Sequence, residues 1–184
     1  MSQFCEHRNG IESTSGCLVL IGIGANLPGP GSRTVLETCQ QAIAMIRKLP
    51  GVAFVRISRW YESAPIPPSG QPHYINAVAA LTVAPNLTID PAALLARLME
   101  IETVCGRERS TPNAARTLDL DIIAIGNLVR DTPDPVLPHP RAHLRAFVLA
   151  PVSDVAPAWV HPILGQTAAD LLAGLPSQEI RAMS

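Results

Sequence analysis

The chain has 184 residues, of which 47% are hydrophobic and 16% are charged, and its formal net charge is −1. This composition is typical of one globular domain with a sizeable core, and it excludes a disordered chain. The nearly neutral charge excludes a strongly basic protein of the kind that binds nucleic acid or anionic membranes through its overall field.

No targeting or membrane segment is predicted. The first 16 residues are polar and lack the apolar core of a signal peptide, and the apolar run at residues 18–25 is too short to span a bilayer. The four cysteines form neither a C-x-x-C pair nor a zinc-like spacing, so we expect free thiols in a reducing compartment. We therefore expect a cytoplasmic protein with a loose tail over residues 1–16 and one domain over residues 17–184.

The first half of the chain predicts three strands and one helix. Residues 18–24 are apolar and predict a buried strand, although two glycines within it suggest that something approaches the backbone closely. Ser32 is predicted to cap a helix that runs to about Lys48. The β-branched and aromatic residues of 52–61 predict a second strand, and residues 74–83 predict a third. The inward stripe of the helix is expected to contain Val35, Leu36, Cys39, Ile43 and Ile46.

The second half begins with a strong helix signal, because Asp90 is a good N-cap and a proline follows it. This helix is predicted to run to about Cys105 and to bury Leu94, Leu95, Leu98 and Ile101, with Gly106 as its C-cap. A strand follows within residues 116–123. A turn at residues 126–127 predicts a short hairpin partner at residues 128–130.

Two helices are predicted near the end of the chain, at residues 141–150 and at residues 167–175. In the first of them, Leu144, Phe147 and Val148 are expected to face inward. The predicted order β-α-β-β-α-β, followed by helices, is typical of an α+β sandwich with a mostly antiparallel sheet.

Asp119 and Asp121 are the most suggestive residues in the sequence. Residues two apart on a strand share a face at a spacing of ~7 Å, so these carboxylates would lie together while Leu118, Leu120 and Ile122 face the core. Paired carboxylates repel each other unless a cation lies between them, and they suit Mg²⁺ with substrate phosphates. A half-buried strand with a solvated acidic face explains the same pattern equally well.

The arginines lie close to this acidic pair in the sequence. Lys48 is the only lysine, whereas six arginines fall between residues 107 and 145. Guanidinium groups match phosphate oxygens through two parallel hydrogen bonds, so the cluster indicates an anion site. The six are Arg107, Arg109, Arg116, Arg130, Arg141 and Arg145.

Six short motifs occur in one order along residues 18–175. They are Gly24-Ala25-Asn26-Leu27, Tyr61-Glu62-Ser63-Ala64-Pro65, Gln71-Pro72-x-Tyr74-Ile75-Asn76-Ala77, Ile101-Glu102 with Gly106-Arg107-x-Arg109, Arg116-Thr117-Leu118-Asp119-Leu120-Asp121, and Pro138-His139-Pro140-Arg141 through Arg145-x-Phe147-Val148-Leu149-x-Pro151. Together they resemble the 6-hydroxymethyl-7,8-dihydropterin pyrophosphokinases of folate biosynthesis.

The resemblance implies a ferredoxin-like fold, and it implies transfer of the diphosphate of ATP to the hydroxymethyl group of a reduced pterin, giving AMP. It implies that Asp119 and Asp121 hold two Mg²⁺ ions and are catalytic together with Arg107 and Arg116. ATP and a reduced pterin are the expected partners, nucleic acid and membranes are not, and a monomer is expected. The implied ATP contacts are Glu102, Arg107, Arg109, Arg116, His139 and Arg145. The implied pterin contacts are Ser63, Ala64, Ile66, Tyr74, Asn76 and Phe147, with Phe147 stacked on the ring.

One motif departs from the family pattern. Many members carry Trp-Gly-Pro before the arginine that leads into the aspartate strand, whereas this chain has Asn113-Ala114-Ala115. In the family that tryptophan closes over the pterin, so we expect either weaker pterin binding or a differently closing lid here, rather than an inactive enzyme.

Two other functions remain as alternatives at this point. A D-x-D nucleotide-sugar transferase would need a longer chain and would leave Tyr74 and Asn76 unexplained. A non-catalytic ferredoxin-like module that binds a small ligand and regulates a partner would be favoured if Asp119, Asp121 or Arg116 were replaced, and all three are present.

Overall fold

One antiparallel sheet dominates the part of the chain that the computed structural model describes, residues 16–108 and 114–184. The strands lie in the order β5-β1-β4-β3-β6, and β2 pairs with β4 beside β3. The α+β architecture expected from the sequence is confirmed, and β6 is an addition to it. The strands are β1 Cys17–Ala25, β2 Ala53–Ile57, β3 Tyr61–Ser63, β4 Tyr74–Val83, β5 Asp119–Ile125 and β6 Ile180–Ala182.

Helices cover both faces of the sheet. The helices are α1 Val35–Ile46, α2 Pro91–Val104, α3 Ala146–Val155 and α4 Ala168–Ala173. Alternate residues of β1 and β4 point to opposite faces, so each strand contributes to two cores. The core with α1 and α2 contains Ile21, Leu81 and Leu98, whereas the core with α3 and α4 contains Leu20 and Val78. Among the described helices, none has both the length and the apolar character needed to cross a bilayer.

The predicted strand over residues 52–61 is wrong as a single element, because it is interrupted between β2 and β3. At the interruption, Ser58 Oγ accepts a hydrogen bond from the Val78 backbone N–H at 3.0 Å and donates to the Arg59 carbonyl at 2.7 Å. The Ser58 N–H still donates to the Val78 carbonyl at 3.0 Å. A side chain thus replaces part of the backbone pairing, which strand propensity does not reveal.

The first helix begins at Thr34 rather than at the predicted Ser32. Ser32 belongs to a short 3-10 turn and has a φ of 62°. Thr34 Oγ1 accepts the Glu37 N–H at 3.2 Å, while Glu37 Oε2 accepts the Thr34 N–H at 2.8 Å, which is a capping box. Of the predicted stripe, Cys39, Ile43 and Ile46 are buried, whereas Val35 and Leu36 are only half-buried.

Replacing Thr34 by alanine removes the acceptor that holds the first turn of α1. We expect Thr34→Ala to lower the free energy of unfolding by about 1 kcal/mol, the typical cost of losing such a cap. Urea denaturation followed by circular dichroism would measure the change. Thr34→Ser, which keeps the hydroxyl, should stay close to the parent, and equal losses in the two variants would contradict the capping argument.

The predicted helix over residues 141–150 is also interrupted. A 3-10 turn at Ala142–Leu144 is followed by extended backbone at Arg145, with φ −126° and ψ 111°, and α3 begins at Ala146. The inward residues are therefore Ala146, Leu149 and Val152. The prediction that Leu144 faces inward is wrong, because 55% of its surface is exposed, and Phe147 and Val148 are only half-buried.

The predicted hairpin after residues 126–127 does not form. Arg130 pairs instead with Leu137 through two backbone hydrogen bonds of 2.8 Å, across a proline-rich loop. The predicted elements at residues 74–83 and 90–105 match β4 and α2 closely, although Leu95 is only half-buried. The strand predicted within residues 116–123 is β5, which begins at Asp119 and ends at Ile125. The last helix is shorter than predicted, and Thr167 caps it through a box with Asp170. Residues 1–15 of the predicted tail, which was expected over residues 1–16, lie outside the described residues.

We expect His161 to make a pH-dependent contribution to stability. It is 3% exposed, and its Nδ1 accepts the N–H groups of Ile163 and Leu164, both at 3.3 Å. Burial, helped by nearby His143, lowers the pKa of His161. Because the folded state resists protonation, the unfolded state binds more protons once the pH falls below about 6.5, and stability decreases.

Asparagine offers an acceptor in place of Nδ1 without a titratable ring. We expect the unfolding free energy of the parent, relative to His161→Asn, to decrease as the pH is lowered from about 8 to about 5. Chemical denaturation at several pH values would measure this difference, which removes the contributions of all other titrating groups. A constant difference across this range would contradict the assignment.

Candidate active site

A cavity of about 840 Å³ opens over the sheet, where β4 and β5 carry polar side chains and β1 between them carries two glycines. Its walls are the loop after β3, the segment before β5, and the region from His139 to the start of α3. The structure brings most of the predicted site residues together around this space. Those that line it are Ser63, Ala64, Ile66, Tyr74, Asn76, Arg107, Arg116, Asp119, Asp121, His139, Arg145 and Phe147.

The acidic strand has the predicted alternation. Asp119 and Asp121 face the cavity, whereas Leu118, Leu120 and Ile122 belong to the opposite core and are at most 3% exposed. Both aspartates lie opposite glycines of β1, since Asp119 pairs with Gly24 and Asp121 with Gly22.

Those two glycines keep the sheet surface open beside the acids. A Cβ on Gly22 would lie 3.4 Å from Ile123 Cδ1, and a Cβ on Gly24 would lie 3.4 Å from Asn76 Oδ1. Both glycines line the cavity. The two glycines in the first strand predicted that something approaches its backbone closely, and in the structure they form the floor of this site. Neither glycine was predicted as a site residue.

Asp119 lies between two arginines. Its Oδ1 accepts a hydrogen bond from Arg107 Nη1 at 2.5 Å, and its Oδ2 accepts one from Arg116 Nη1 at 2.7 Å. Arg107 Nη1 also pairs with the Glu102 carboxylate. Arg107, which follows the end of α2, thus offsets the charge of Glu102.

Glu102 lies behind the cavity wall. It is 3% exposed and is not among the lining residues. Its Oε1 accepts the Leu120 backbone N–H at 2.7 Å, which ties α2 to β5. Burial raises the pKa of Glu102, although the Leu120 N–H and Arg107 act in the opposite direction. From this position Glu102 supports Arg107, and the direct ATP contact that the resemblance implied stays a prediction.

The pKa values of Asp121 and His139 are shifted in opposite directions. Burial and the neighbouring Asp119 charge raise the pKa of Asp121 to about 6. Burial and the charges of Arg145 and Arg141 lower the pKa of His139 to about 4. His139 is therefore neutral at pH 7, and its Nε2 lies 3.9 Å from Asp121 Oδ2 without forming an ion pair. A divalent cation at this point would favour the ionised form of Asp121.

The other half of the cavity is largely uncharged. Asn76 Nδ2 donates to Ser63 Oγ at 2.9 Å, and both residues are at most 5% exposed. Tyr74 OH donates to Gln71 Oε1 at 3.1 Å. The Arg145 guanidinium lies 5.3 Å from the centre of the Phe147 ring. A flat polar ring could enter here between an amide and an aromatic face.

The loop that departs from the family motif is only partly described. Ala114 and Ala115 line the cavity, whereas Arg109 and Asn113 lie outside the described residues. Gln71 and Arg141 also line the cavity and were not predicted as site residues. Both stood inside the motifs quoted from the sequence, so their positions were available but their roles were not.

Comparisons with known proteins give one consistent family. The family model described as 7,8-dihydro-6-hydroxymethylpterin-pyrophosphokinase (HPPK) matches residues 20–157. The chain is similar to the 2-amino-4-hydroxy-6-hydroxymethyldihydropteridine pyrophosphokinase of Synechocystis sp., with 38% identity over 83% of this chain and 73% of that protein. It is 36% identical to the protein of the same name from Pseudomonas aeruginosa, over 90% of this chain and 96% of that protein.

Solved structures agree with this family in fold. The wild-type HPPK-DHPS of Plasmodium falciparum matches with a TM-score of 0.62 at 12% identity and covers 89% of this chain. This chain spans only 45% of that solved chain, so the likeness concerns one part of a larger protein.

Proposed function

Because the chain belongs to the 7,8-dihydro-6-hydroxymethylpterin-pyrophosphokinase family, we propose that it transfers the diphosphate of ATP to the hydroxymethyl group of 6-hydroxymethyl-7,8-dihydropterin, giving AMP. One observation carries the proposal for this chain. A single cavity joins an aspartate pair and arginines at one end to Ser63, Asn76, Tyr74 and Phe147 at the other. Family membership and the intact aspartates favour this enzyme over a nucleotide-sugar transferase and over a non-catalytic regulatory module.

Phosphoryl transfer needs positioning and neutralised charge more than covalent chemistry by the protein. Arg107 and Arg116 would move part of their hydrogen bonding from Asp119 to phosphate oxygens, since each guanidinium has several donors. Arg145 adds a third positive charge beside Phe147, at the boundary with the pterin half of the cavity. Neutral His139 can hydrogen-bond a nucleotide without repelling the arginines. The ATP contacts of Glu102 and Arg109 stay predictions.

Magnesium is part of the proposal, and the residues present fit it. Asp119 and Asp121 offer hard oxygen ligands on one strand face, and Asp121 has a raised pKa that a cation would reverse. Within the described residues, His, Cys, Asp and Glu side chains form no group of three that could hold a metal without a substrate. Mg²⁺ commonly takes one or two carboxylates plus substrate phosphates, and it would neutralise charge on the transferring diphosphate.

The pterin half would supply recognition and orientation. Asn76, held by Ser63, can present its amide to the pyrimidine edge of a pterin, and Phe147 can stack on the ring. Ala64 and Ile66 complete an apolar wall beside them. Such a fixed pose brings the hydroxymethyl oxygen toward the phosphates near Asp119, which is the main contribution that a scaffold makes to this kind of reaction.

The proposed function is tested by measuring AMP release from ATP with and without 6-hydroxymethyl-7,8-dihydropterin. We expect AMP to form only when the pterin and Mg²⁺ are both present, and EDTA should stop the reaction. Chromatography of the products should show one pterin diphosphate for each AMP. Release of ADP, or AMP formation independent of the pterin, would contradict the proposal. A cytoplasmic location and a monomeric state stay predictions.

The altered loop motif leads to a prediction about affinity. We expect Asn113→Trp, which restores the residue common in the family, to tighten pterin binding by about tenfold, because stacking on a base contributes ~1–3 kcal/mol. Fluorescence titration of the pterin in the presence of a non-hydrolysable ATP analogue would measure this. Asn113→Leu supplies an apolar side chain without an aromatic face and serves as the control. Equal affinities in all three proteins would refute the stacking explanation.

A further inference from the structure

We infer that Asn26, which does not line the cavity, is a positioning residue that fixes the pterin loop and the phosphate-binding arginine relative to each other. The inference rests on the proposed function, since it assigns the two halves of the cavity to pterin and nucleotide. Asn26 follows the end of β1 and is 2% exposed. Its side chain contacts two segments that are 45 and 90 residues away along the chain.

One arm of the network reaches the pterin half. Asn26 Nδ2 donates to Gln71 Oε1 and to the Pro72 carbonyl, both at 3.2 Å. Gln71 Oε1 also accepts the Tyr74 hydroxyl at 3.1 Å. Gln71 and Tyr74 both line the cavity. The amide of Asn26 therefore holds the end of the loop that forms the pterin wall, directly and through Gln71.

The other arm reaches the phosphate half. Asn26 Oδ1 accepts the Arg116 backbone N–H at 2.8 Å, and the N–H groups of Asn26 and Leu27 both donate to the Arg116 carbonyl at 3.0 Å. The Arg116 side chain in turn contacts Asp119. The backbone of Arg116 is thereby fixed from both of its peptide groups. The position of its guanidinium relative to the acidic strand depends on this anchor.

Asparagine suits this role because its short amide has a donor and an acceptor on the same group. The acceptor is used by the arginine arm and the donor by the loop arm. Burying an amide is unfavourable unless its hydrogen bonds are made, so both segments must hold their places around it. An error in the position of either segment would separate the hydroxymethyl oxygen from the phosphorus it must reach, and small displacements lower rates strongly.

The two arms can be separated by substitution. Asn26→Asp keeps an oxygen for the Arg116 N–H but faces the Pro72 carbonyl with an oxygen instead of a donor. We expect it to weaken pterin binding by about tenfold while the affinity for a Mg²⁺-bound non-hydrolysable ATP analogue changes by less than about twofold. Asn26→Ala removes both arms, so both affinities should fall, and kcat should fall further than either affinity alone explains.

A double-mutant comparison tests the loop arm directly. Gln71→Leu removes the acceptor shared by Asn26 and Tyr74, whereas Gln71→Glu keeps it. We expect Gln71→Glu, which keeps this acceptor, to weaken pterin binding less than Gln71→Leu does. Gln71→Leu should match Asn26→Asp, and the two substitutions combined should cost little more than either alone, because they break the same arm.

Binding by calorimetry and turnover should both be measured well below the melting temperature of every variant. Thr34→Ala, in the helix on the opposite face of the sheet, provides a control that lowers stability without touching the network. The inference is overturned if the Asn26 variants lose only thermal stability, as the control does. It is also overturned if Asn26→Asp and Asn26→Ala each weaken the binding of pterin and of the ATP analogue equally. A parent protein that binds both ligands without releasing AMP would refute the proposed function and leave the binding test of Asn26 intact.

Discussion

Replacing Asp119 and Asp121 together by asparagine should lower pterin-dependent AMP formation by a factor on the order of 10³ or more. Both carboxylates face the cavity from β5, and both are the hard ligands proposed for Mg²⁺. The amide keeps the size of each side chain but removes its charge, so the diphosphate would transfer without its proposed metal contacts. AMP formation at saturating ATP and pterin would measure the loss.

The single variants separate metal binding from ion pairing. Asp121 makes no short ion pair among the described residues, so Asp121→Asn should reduce activity with little change in melting temperature. Asp119→Asn also weakens contacts to Arg107 and Arg116, and it should lower stability as well. Exposed Asp131→Asn is the matched control and should remain fully active. Parent-like turnover in Asp121→Asn would refute its role as a metal ligand.

Glu102→Ala should cause the largest loss of stability of the substitutions considered. The carboxylate is buried, pairs with Arg107 and accepts the Leu120 N–H. Its removal leaves a buried backbone donor without this acceptor and takes one partner from a largely buried arginine. Breaking such a pair from one side usually costs about 3–5 kcal/mol, and the remaining Asp119 contact places the expected loss near ~3 kcal/mol.

Urea denaturation of Glu102→Ala and Glu102→Gln would measure this effect. Glutamine can still accept the Leu120 N–H but carries no charge, so its loss should be clearly smaller and reports the ion pair with Arg107. If Glu102 instead contacts ATP directly, Glu102→Gln is expected to weaken nucleotide binding and to leave stability unchanged. Equal stability of the two variants and the parent would contradict the structural role.

The elements that were predicted well are those that depend only on residues close together in the sequence. Alternation of apolar and acidic residues in β5 and the Asp90-Pro91 start of α2 are local patterns, and both were found where predicted. The break at Ser58 depends on Val78 in another strand. The break at Arg145 is supported by Gln178, whose amide contacts the Leu144 carbonyl and the Ala146 N–H, both at 2.9 Å or less. Such distant partners are not visible in a local window.

The same distinction applies to the site. Motif order predicted which residues would line the cavity, and twelve of the predicted residues do so. It did not predict that Glu102 would lie behind the wall, because the depth of a carboxylate depends on how α2 packs against β5. The network of Asn26 was missed for a similar reason, since it joins three segments that are distant in the sequence.

The two glycines of β1 bear on how this protein would respond to inhibitors. A compound that filled both halves of the cavity would contact the β1 backbone at Gly22 and Gly24, beside Asp119 and Asp121. Any larger residue at either glycine would place new atoms against Ile123 or Asn76 and into the space that the natural ligands are proposed to use. A substitution at either glycine that conferred resistance would therefore also reduce the enzyme's own turnover. Inhibitor contacts with these two glycines are thus expected to be difficult to lose by mutation.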